Sequence, residues 1–285
     1  MGGARAPTVR PDTTSARRRL DAELVARGLV PSRAEAAALI AAGRVLVTGA
    51  VAEKPGRQVA PGEPVLVCGP PSRFVGRGGD KLDGALTAFG TTVQGRRALD
   101  AGASTGGFTD CMLQRGASEV WAVDVGFGQL ATSVRSDARV RVVERYNIRN
   151  ARLDELGGVA FDLVVADLSF ISLRTVAAPM VSLVAPGGSV VALVKPQFEV
   201  GRAAASRGRG VVRDPALWAL SMGDVARAFQ VGGAGLVAAT VSPLKGARGN
   251  REFFFELRPG LEVEPAQVDA MVARTVELAC AEGGD

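Results

Sequence analysis

Beyond residue 72, short apolar runs alternate with amphipathic segments, and this alternation predicts strands connected by helices. The apolar runs have the length of buried strands, and several end on an acidic or glycine residue. The predicted strands end at Leu99 and cover 119–125, 140–143, 161–166, 189–194, 236–241 and 252–257. The helical patterns cover 82–89, 111–116 and 215–229. We therefore expect a doubly wound α/β sheet whose last two strands form an antiparallel edge pair.

The first 68 residues follow a different pattern. A basic amphipathic helix is predicted over residues 17–28. Ser32 and Glu35 form a capping box for a second helix over 36–42, which Gly43 ends in the left-handed conformation. Short strands are predicted at 44–49 and 65–67. These elements indicate a small α+β domain.

Composition narrows the class of protein. The chain of 285 residues is 47% hydrophobic and contains no apolar run of about 18 residues, so we predict no membrane span. Its three cysteines are far apart, which favours a reducing cytoplasm over a disulfide framework or a zinc cluster. The absence of histidine removes Ser-His and Cys-His nucleophiles and the commonest metal ligand. We expect no metal, and acid–base chemistry must use Lys, Asp, Glu or Tyr.

Positive charge is concentrated at the start of the chain. The net charge is +5, and residues 1–60 contain ten Lys or Arg against five Asp or Glu, whereas the remainder contains 24 of each. This distribution predicts a polyanion-binding module. The alternative is a solvated helical face. Loop 201–214 is also rich in arginine and is either drawn to phosphates or an ordinary surface loop. The predicted RNA-binding residues are Arg17, Arg18, Arg19, Arg33, Arg44, Arg207 and Arg209.

A glycine-rich turn joins the predicted strand at Leu99 to the helix after it. Asp100 precedes Gly102 by two residues, a spacing typical of S-adenosylmethionine enzymes rather than of the G-x-G-x-x-G dinucleotide fingerprint. The alternative is an ordinary tight connection. Asp124 ends the next strand, where an acid accepts hydrogen bonds from ribose hydroxyls. The predicted cofactor-binding residues are Asp100, Gly102, Ser104, Thr105, Gly106, Gly107, Phe108, Asp124, Asn147 and Asp167.

Four ionisable residues are predicted to meet beside this turn. Asp167 and Lys195 end neighbouring parallel strands, and a lysine there is costly unless it is paired. Glu252 begins the antiparallel strand and would lie at the same sheet edge. Lys81 alone is best interpreted as a surface lysine, but these three residues suggest that it joins them. Such a group suits attack of a poorly acidic hydroxyl on an activated methyl, with one lysine taking the proton.

Motifs across nearly the whole chain after Thr14 resemble the TlyA family, bacterial ribosomal RNA 2′-O-methyltransferases with an S4-like domain and an FtsJ-type catalytic domain. The motifs are Arg19-Leu20-Asp21, 41–49, 75–82, 99–110, Asp124, 167–170, 195–199 and 250–253. The resemblance implies a class I S-adenosylmethionine-dependent methyltransferase with a Rossmann-like sheet of seven strands, the last antiparallel, after a small α+β S4-like domain. It implies a disordered arm 1–14, an S4-like domain 15–68, a linker 69–78 and a catalytic domain 79–285.

The resemblance also implies a role for each site residue and a substrate. Lys81, Asp167, Lys195 and Glu252 match the catalytic tetrad of the family. The implied cofactor is S-adenosylmethionine, and the implied partners are ribosomal subunits, whose 16S or 23S RNA is methylated on cytidine with an effect on capreomycin and viomycin sensitivity. Phe74 replaces an expected tryptophan, and Asp80 is a second local difference.

Three alternatives to RNA methylation remain. A small-metabolite methyltransferase would not need the basic module. A non-enzymatic ribosome-assembly factor would use that module equally well, but it would not need ionisable residues at strand ends. A pore-forming haemolysin, a name often given to this family, is disfavoured because no segment has membrane-spanning length.

Overall fold

The computed structural model describes residues 17–30, 32–69, 72–201, 208 and 210–282. It divides into two compact units between Pro71 and Ser72. The predicted arm 1–14 and the predicted RNA-binding residues Arg207 and Arg209 lie outside the described residues. No helix among the described residues is long and apolar enough to cross a membrane.

The first unit packs two helices against short antiparallel strands. Strand β2 lies between β3 and β5, and β1 pairs with β4. Its core is formed by fully buried aliphatic side chains that include Leu20, Leu24 and Val45, each of which contributes about 1.5–3 kcal/mol when buried. The elements are β1 (Arg18–Arg19), α1 (Leu20–Ala26), α2 (Arg33–Ala41), β2 (Val45–Val47), β3 (Ala50–Val51), β4 (Gln58–Val59) and β5 (Val65–Val67).

Local signals placed α2 correctly and overextended α1. The Ser32 hydroxyl accepts a hydrogen bond from the Glu35 amide, and Gly43 has a φ of 67°, so both predicted capping residues of α2 are confirmed, although the helix covers Arg33–Ala41 rather than 36–42. The helix predicted from residue 17 begins only at Leu20. Arg18 and Arg19 instead pair with β4 as an extended strand, an interaction between residues about forty positions apart that helical periodicity does not reveal.

The second unit is built on a sheet of seven strands among the described residues. The order is β11-β12-β10-β9-β6-β7-β8, and β12 runs in the opposite direction to the other six strands. The elements are α3 (Arg77–Phe89), β6 (Arg97–Ala101), α4 (Gly107–Gln114), β7 (Glu119–Val123), α5 (Thr132–Arg135), β8 (Val140–Val143), β9 (Phe161–Ala166), α6 (Ala177–Ser182), β10 (Val184–Val194), α7 (Pro196–Glu199), α8 (Pro215–Val231), β11 (Ala234–Val241), β12 (Phe253–Pro259) and α9 (Pro265–Ala281). The predicted sheet and its antiparallel last strand are confirmed.

The last two strands form the predicted antiparallel pair at one edge of the sheet. Strand β11 is the edge strand, and β12 lies between β11 and β10. Phe253, Phe254 and Phe255 are all fully buried. Phe253 and Phe255 pack on one face of the sheet and Phe254 packs on the other. Three consecutive buried aromatic residues require cover on both faces, which an interior strand provides.

Helices α3 and α9 also differ from the sequence prediction. Helix α3 begins at Arg77 rather than at residue 82, so Lys81 lies inside the helix. Glycine permits this start because a Cβ at Gly79 would lie 2.3 Å from the Cβ of Phe74. Helix α9 was not predicted, although its buried positions Val268, Val272 and Val276 recur every four residues.

Candidate active site

The glycine-rich turn between β6 and α4 lies against the end of β9. Gly102 has a φ of 88°, and its amide donates to the Val123 carbonyl over 2.8 Å. A Cβ at this position would lie 2.6 Å from the carbonyl oxygen of Asp167. Glycine is therefore required both by the backbone conformation and by the close approach of the turn to β9.

Asp124 holds the open side of this turn. One of its carboxylate oxygens accepts a hydrogen bond from the Ser104 amide over 2.8 Å, and the other accepts from the Gly126 amide over 2.6 Å. The side chain that was predicted to bind a ribose thus also joins the ends of β6 and β7. It remains partly exposed and lines a cavity.

Two cavities meet along the turn. The larger, about 490 Å³, is lined by residues that include Gly102, Ser104, Asp124, Asn147, Asp167 and Ser169. The smaller, about 190 Å³, is lined by residues that include Gly102, Ser104, Thr105, Gly107, Phe108, Asp167, Ser169 and Lys195. Eight of the ten predicted cofactor residues therefore line one or both cavities. The larger volume is in the range of small-molecule sites.

Asp100 and Gly106 line neither of these cavities and support the turn from behind. Asp100 is fully buried, and one carboxylate oxygen accepts a hydrogen bond from the Thr109 hydroxyl over 2.7 Å. Burial, only partly offset by that bond, raises the pKa of Asp100 to about 7. A Cβ at Gly106 would lie 2.8 Å from Leu130, so this glycine is needed for packing.

Two ion pairs lie at the strand ends. Lys195 Nζ contacts Asp167 Oδ1, and Lys81 Nζ donates to Glu252 Oε2 over 2.5 Å. Both lysines are 8% exposed and Glu252 is 2% exposed. The predicted tetrad is thus divided into two pairs, each joining residues far apart in sequence.

Strand register explains how these pairs approach. Val194 of β10 lies opposite Phe253 of β12, so the next positions, Lys195 and Glu252, continue that antiparallel alignment. On its other side β10 runs parallel to β9, whose last residue precedes Asp167. Three of the four ionisable residues therefore end adjacent strands at one sheet edge, and α3 supplies Lys81.

Two polar residues at this edge had no predicted role. Ser169 accepts a hydrogen bond from Lys195 Nζ over 3.1 Å. Glu199 is buried at the end of α7 and accepts hydrogen bonds from the Ser172 hydroxyl and from the Leu173 amide. Burial raises the pKa of Glu199. The position of both within the motifs 167–170 and 195–199 was the signal available in the sequence.

The predicted RNA-binding arginines of the first unit are held in different ways. Arg17, Arg18, Arg19 and Arg33 are exposed, whereas Arg44 is partly buried and donates to the Cys68 carbonyl over 2.8 Å. Arg18 lies 3.9 Å from Glu23, a long ion pair. We call the four exposed residues Arg17, Arg18, Arg19 and Arg33 the arginine surface. Arg44 instead holds the end of β5.

Known proteins match both units. A profile of FtsJ-like methyltransferases matches residues 74–258, and an S4 domain profile matches residues 18–65. The 16S/23S rRNA (cytidine-2′-O)-methyltransferase TlyA of Mycobacterium tuberculosis is 52% identical over 85% of this chain and 90% of that protein. Hemolysin A of Brachyspira hyodysenteriae is 35% identical over 82% of this chain and 97% of that protein. A solved structure described as a candidate hemolysin from Streptococcus thermophilus has a TM-score of 0.73 at 36% identity, covering 95% of this chain and 99% of that chain.

The sheet order, the glycine-rich turn and the matched catalytic domain define an enzyme, a methyltransferase with a Rossmann-like class I fold. An S4 domain precedes the catalytic domain in the chain. The identity to full-length relatives is high, and it extends over both matched regions. The chain belongs to the TlyA family of FtsJ-like methyltransferases.

Proposed function

We propose that this protein transfers a methyl group from S-adenosylmethionine to the ribose 2′-hydroxyl of a cytidine in 16S or 23S ribosomal RNA. The observation that carries the proposal is the Lys195–Asp167 ion pair, because both residues line the cavity beside the glycine-rich turn. A relative that is 52% identical over 85% of this chain is named a 16S/23S rRNA (cytidine-2′-O)-methyltransferase. In this assignment residues 15–68 bind RNA and residues 79–285 carry out methyl transfer.

The cavities suit the proposed cofactor. Gly102 leaves bare backbone where a side chain would block the approach to β9, and Asp124 and Asn147 line the larger cavity with polar groups. Such a cavity accommodates an adenosine, and the smaller cavity leads from the shared turn to Lys195. When bound, S-adenosylmethionine supplies a methyl group that is already activated for transfer.

The chain then has to align the hydroxyl and receive its proton. We assign Lys195 to the reacting hydroxyl because Asp167 and Ser169 hold its Nζ at the cavity wall. Lys81 and Glu252 form the second pair at the same edge. The hydroxyl proton passes to Nζ of one of the two lysines, which has to be a neutral amine to accept it. Alignment supplies much of the rate because the donor needs no further activation.

Labelling of ribosomal RNA tests this proposal. We expect purified unmethylated 30S or 50S subunits to gain label from methyl-labelled S-adenosylmethionine, and mass mapping to place it on a cytidine ribose. Label on a base would contradict the reaction. Binding of subunits without transfer would indicate an assembly factor, and transfer only to small molecules would indicate a metabolite methyltransferase.

A further inference from the structure

A buried carboxylate lies beneath the arginine surface of the first unit. Asp21 is 5% exposed in the first turn of α1. Its oxygens accept hydrogen bonds from Arg19 Nε and Nη2, each over 3.1 Å, and from Arg33 Nη2 over 2.8 Å. The two arginines, fourteen positions apart, are therefore joined through one carboxylate.

The arginines remain open to solvent although their partner is enclosed. The side chains of Arg19 and Arg33 are 50% and 59% exposed, against 6% for Asp21. Hydrogen bonding from Arg19, supported by Arg33, lowers the pKa of Asp21 to about 2, so the carboxylate is ionised at neutral pH. Its negative charge counters the repulsion between the two guanidinium groups.

We propose that Asp21 is a positioning residue for RNA binding, which holds Arg19 and Arg33 in one fixed arrangement so that their remaining N–H groups engage neighbouring phosphates. This inference rests on the proposed function. A guanidinium that is already ordered loses less side-chain entropy when it binds phosphate. Although the Asp21 carboxylate carries the same sign of charge as RNA, its contribution to RNA affinity is favourable.

Removing the carboxylate charge distinguishes positioning from simple electrostatics. Asp21→Asn removes a negative charge, so charge alone predicts tighter RNA binding. Positioning predicts the opposite, an affinity about tenfold weaker, because two long side chains must be ordered on binding. The measurement is titration of the full-length protein with purified 16S and 23S ribosomal RNA at fixed salt.

Glu23 provides the matched control. It is buried to the same degree, at 6% exposed, on the same helix. Its hydrogen-bond partner is Arg27 at 2.9 Å, whereas Arg18, at 3.9 Å, is too distant for a hydrogen bond that would order its side chain. Arg27 also donates to the carbonyls of Glu63, Ala60 and Pro61, so it holds the backbone instead of facing a ligand. We expect Glu23→Gln to leave RNA affinity within about twofold of the wild type.

Replacing both arginines separates positioning from a merely structural role. If Asp21 acts only through Arg19 and Arg33, Asp21→Asn changes RNA affinity only while both arginines are present. In an Arg19→Gln/Arg33→Gln background, the substitution should no longer weaken binding. Hydrogen exchange of α1 and α2 in each variant checks that the first unit is folded.

Three outcomes would overturn the inference. Equal or tighter binding by Asp21→Asn would show that the carboxylate only repels RNA. Equal losses in Asp21→Asn and Glu23→Gln, or an undiminished loss in the arginine-free background, would show that Asp21 only stabilises the unit. In each of the three cases, RNA binding by the wild type would leave the proposed function standing. A wild-type protein that does not bind ribosomal RNA would overturn both the inference and the proposed function.

Discussion

The two units use the same chemical pairing in opposite ways. In the first unit, buried Asp21 holds cations that are half-exposed, whereas in the second unit both members of the Lys81–Glu252 pair are enclosed, at 10% and 3% side-chain exposure. An exposed cation on a buried anion can still contact a polyanion. An enclosed pair exchanges little with solvent, so it can position a reacting group. Exposure of the cation, rather than the presence of an ion pair, therefore distinguishes the proposed RNA-binding surface from the proposed reaction site.

The largest expected effect comes from the enclosed cation nearest the turn. Lys195→Ala should lower the rate of methyl transfer by about a thousandfold, since it removes the group assigned to the hydroxyl. RNA affinity should be unchanged because the exposed arginines are intact. The measurement is single-turnover transfer of labelled methyl to ribosomal subunits, with the exposed Lys245→Ala as control. A wild-type rate of methyl transfer in Lys195→Ala would contradict the proposal that enclosed cations in the second unit position the reacting group.

Asp100 is a buried carboxyl group for which the described residues provide no ion pair. Its protonation therefore makes the free energy of unfolding depend on pH. The folded protein keeps this proton up to a pH of about 7, whereas the unfolded chain releases it near 3.8. The folded state therefore binds more protons across this window, and its stability falls as the pH rises, by on the order of 4 kcal/mol. Urea unfolding of wild type and Asp100→Asn should diverge in this way, and parallel pH profiles would contradict it.

Breaking one pair in each unit tests the comparison directly. Glu252→Gln leaves Lys81 buried without a counter-charge and should cost about 3 kcal/mol. Asp21→Asn leaves half-exposed arginines and should cost about 1 kcal/mol or less. Both tryptophans, Trp121 and Trp218, lie in the second unit, so their fluorescence follows its unfolding, while hydrogen exchange follows the first unit. Equal costs would contradict the role of exposure.

The smallest expected effect concerns how readily the atoms around a glycine can move to accept an added Cβ in each unit. An alanine Cβ at Gly102 would meet the backbone of Asp167 at 2.6 Å, whereas at Gly56 it would meet the end of the Arg19 side chain at 3.1 Å. Gly102→Ala should cost about 2 kcal/mol and weaken S-adenosylmethionine binding, since it also strains a left-handed backbone. Gly56→Ala should cost less than about 0.5 kcal/mol. Calorimetric titration of S-adenosylmethionine and urea unfolding measure the two effects.

The sequence predicts local structure correctly where the pattern that indicates it lies within a single helix, turn or strand. The cap at Ser32, the turn at Gly102 and the apolar runs of β9 and β10 are all confirmed. The pairing of Asp167 with Lys195 also followed, because a lysine that ends a buried strand requires a nearby anion. The positions and partners of these residues can therefore be predicted from the sequence.

The sequence by itself determined which residues are chemically competent and which ends of strands they occupy. Only the tertiary structure decided that β12 lies inside the sheet, that Lys81 pairs with Glu252, that Asp100 lines neither cavity and that Asp21 joins two arginines. The physical reason is that periodicity and capping depend on neighbours within a few residues. Strand order and ion-pair partners depend on which distant surfaces bury each other, and that choice is made by packing the whole unit.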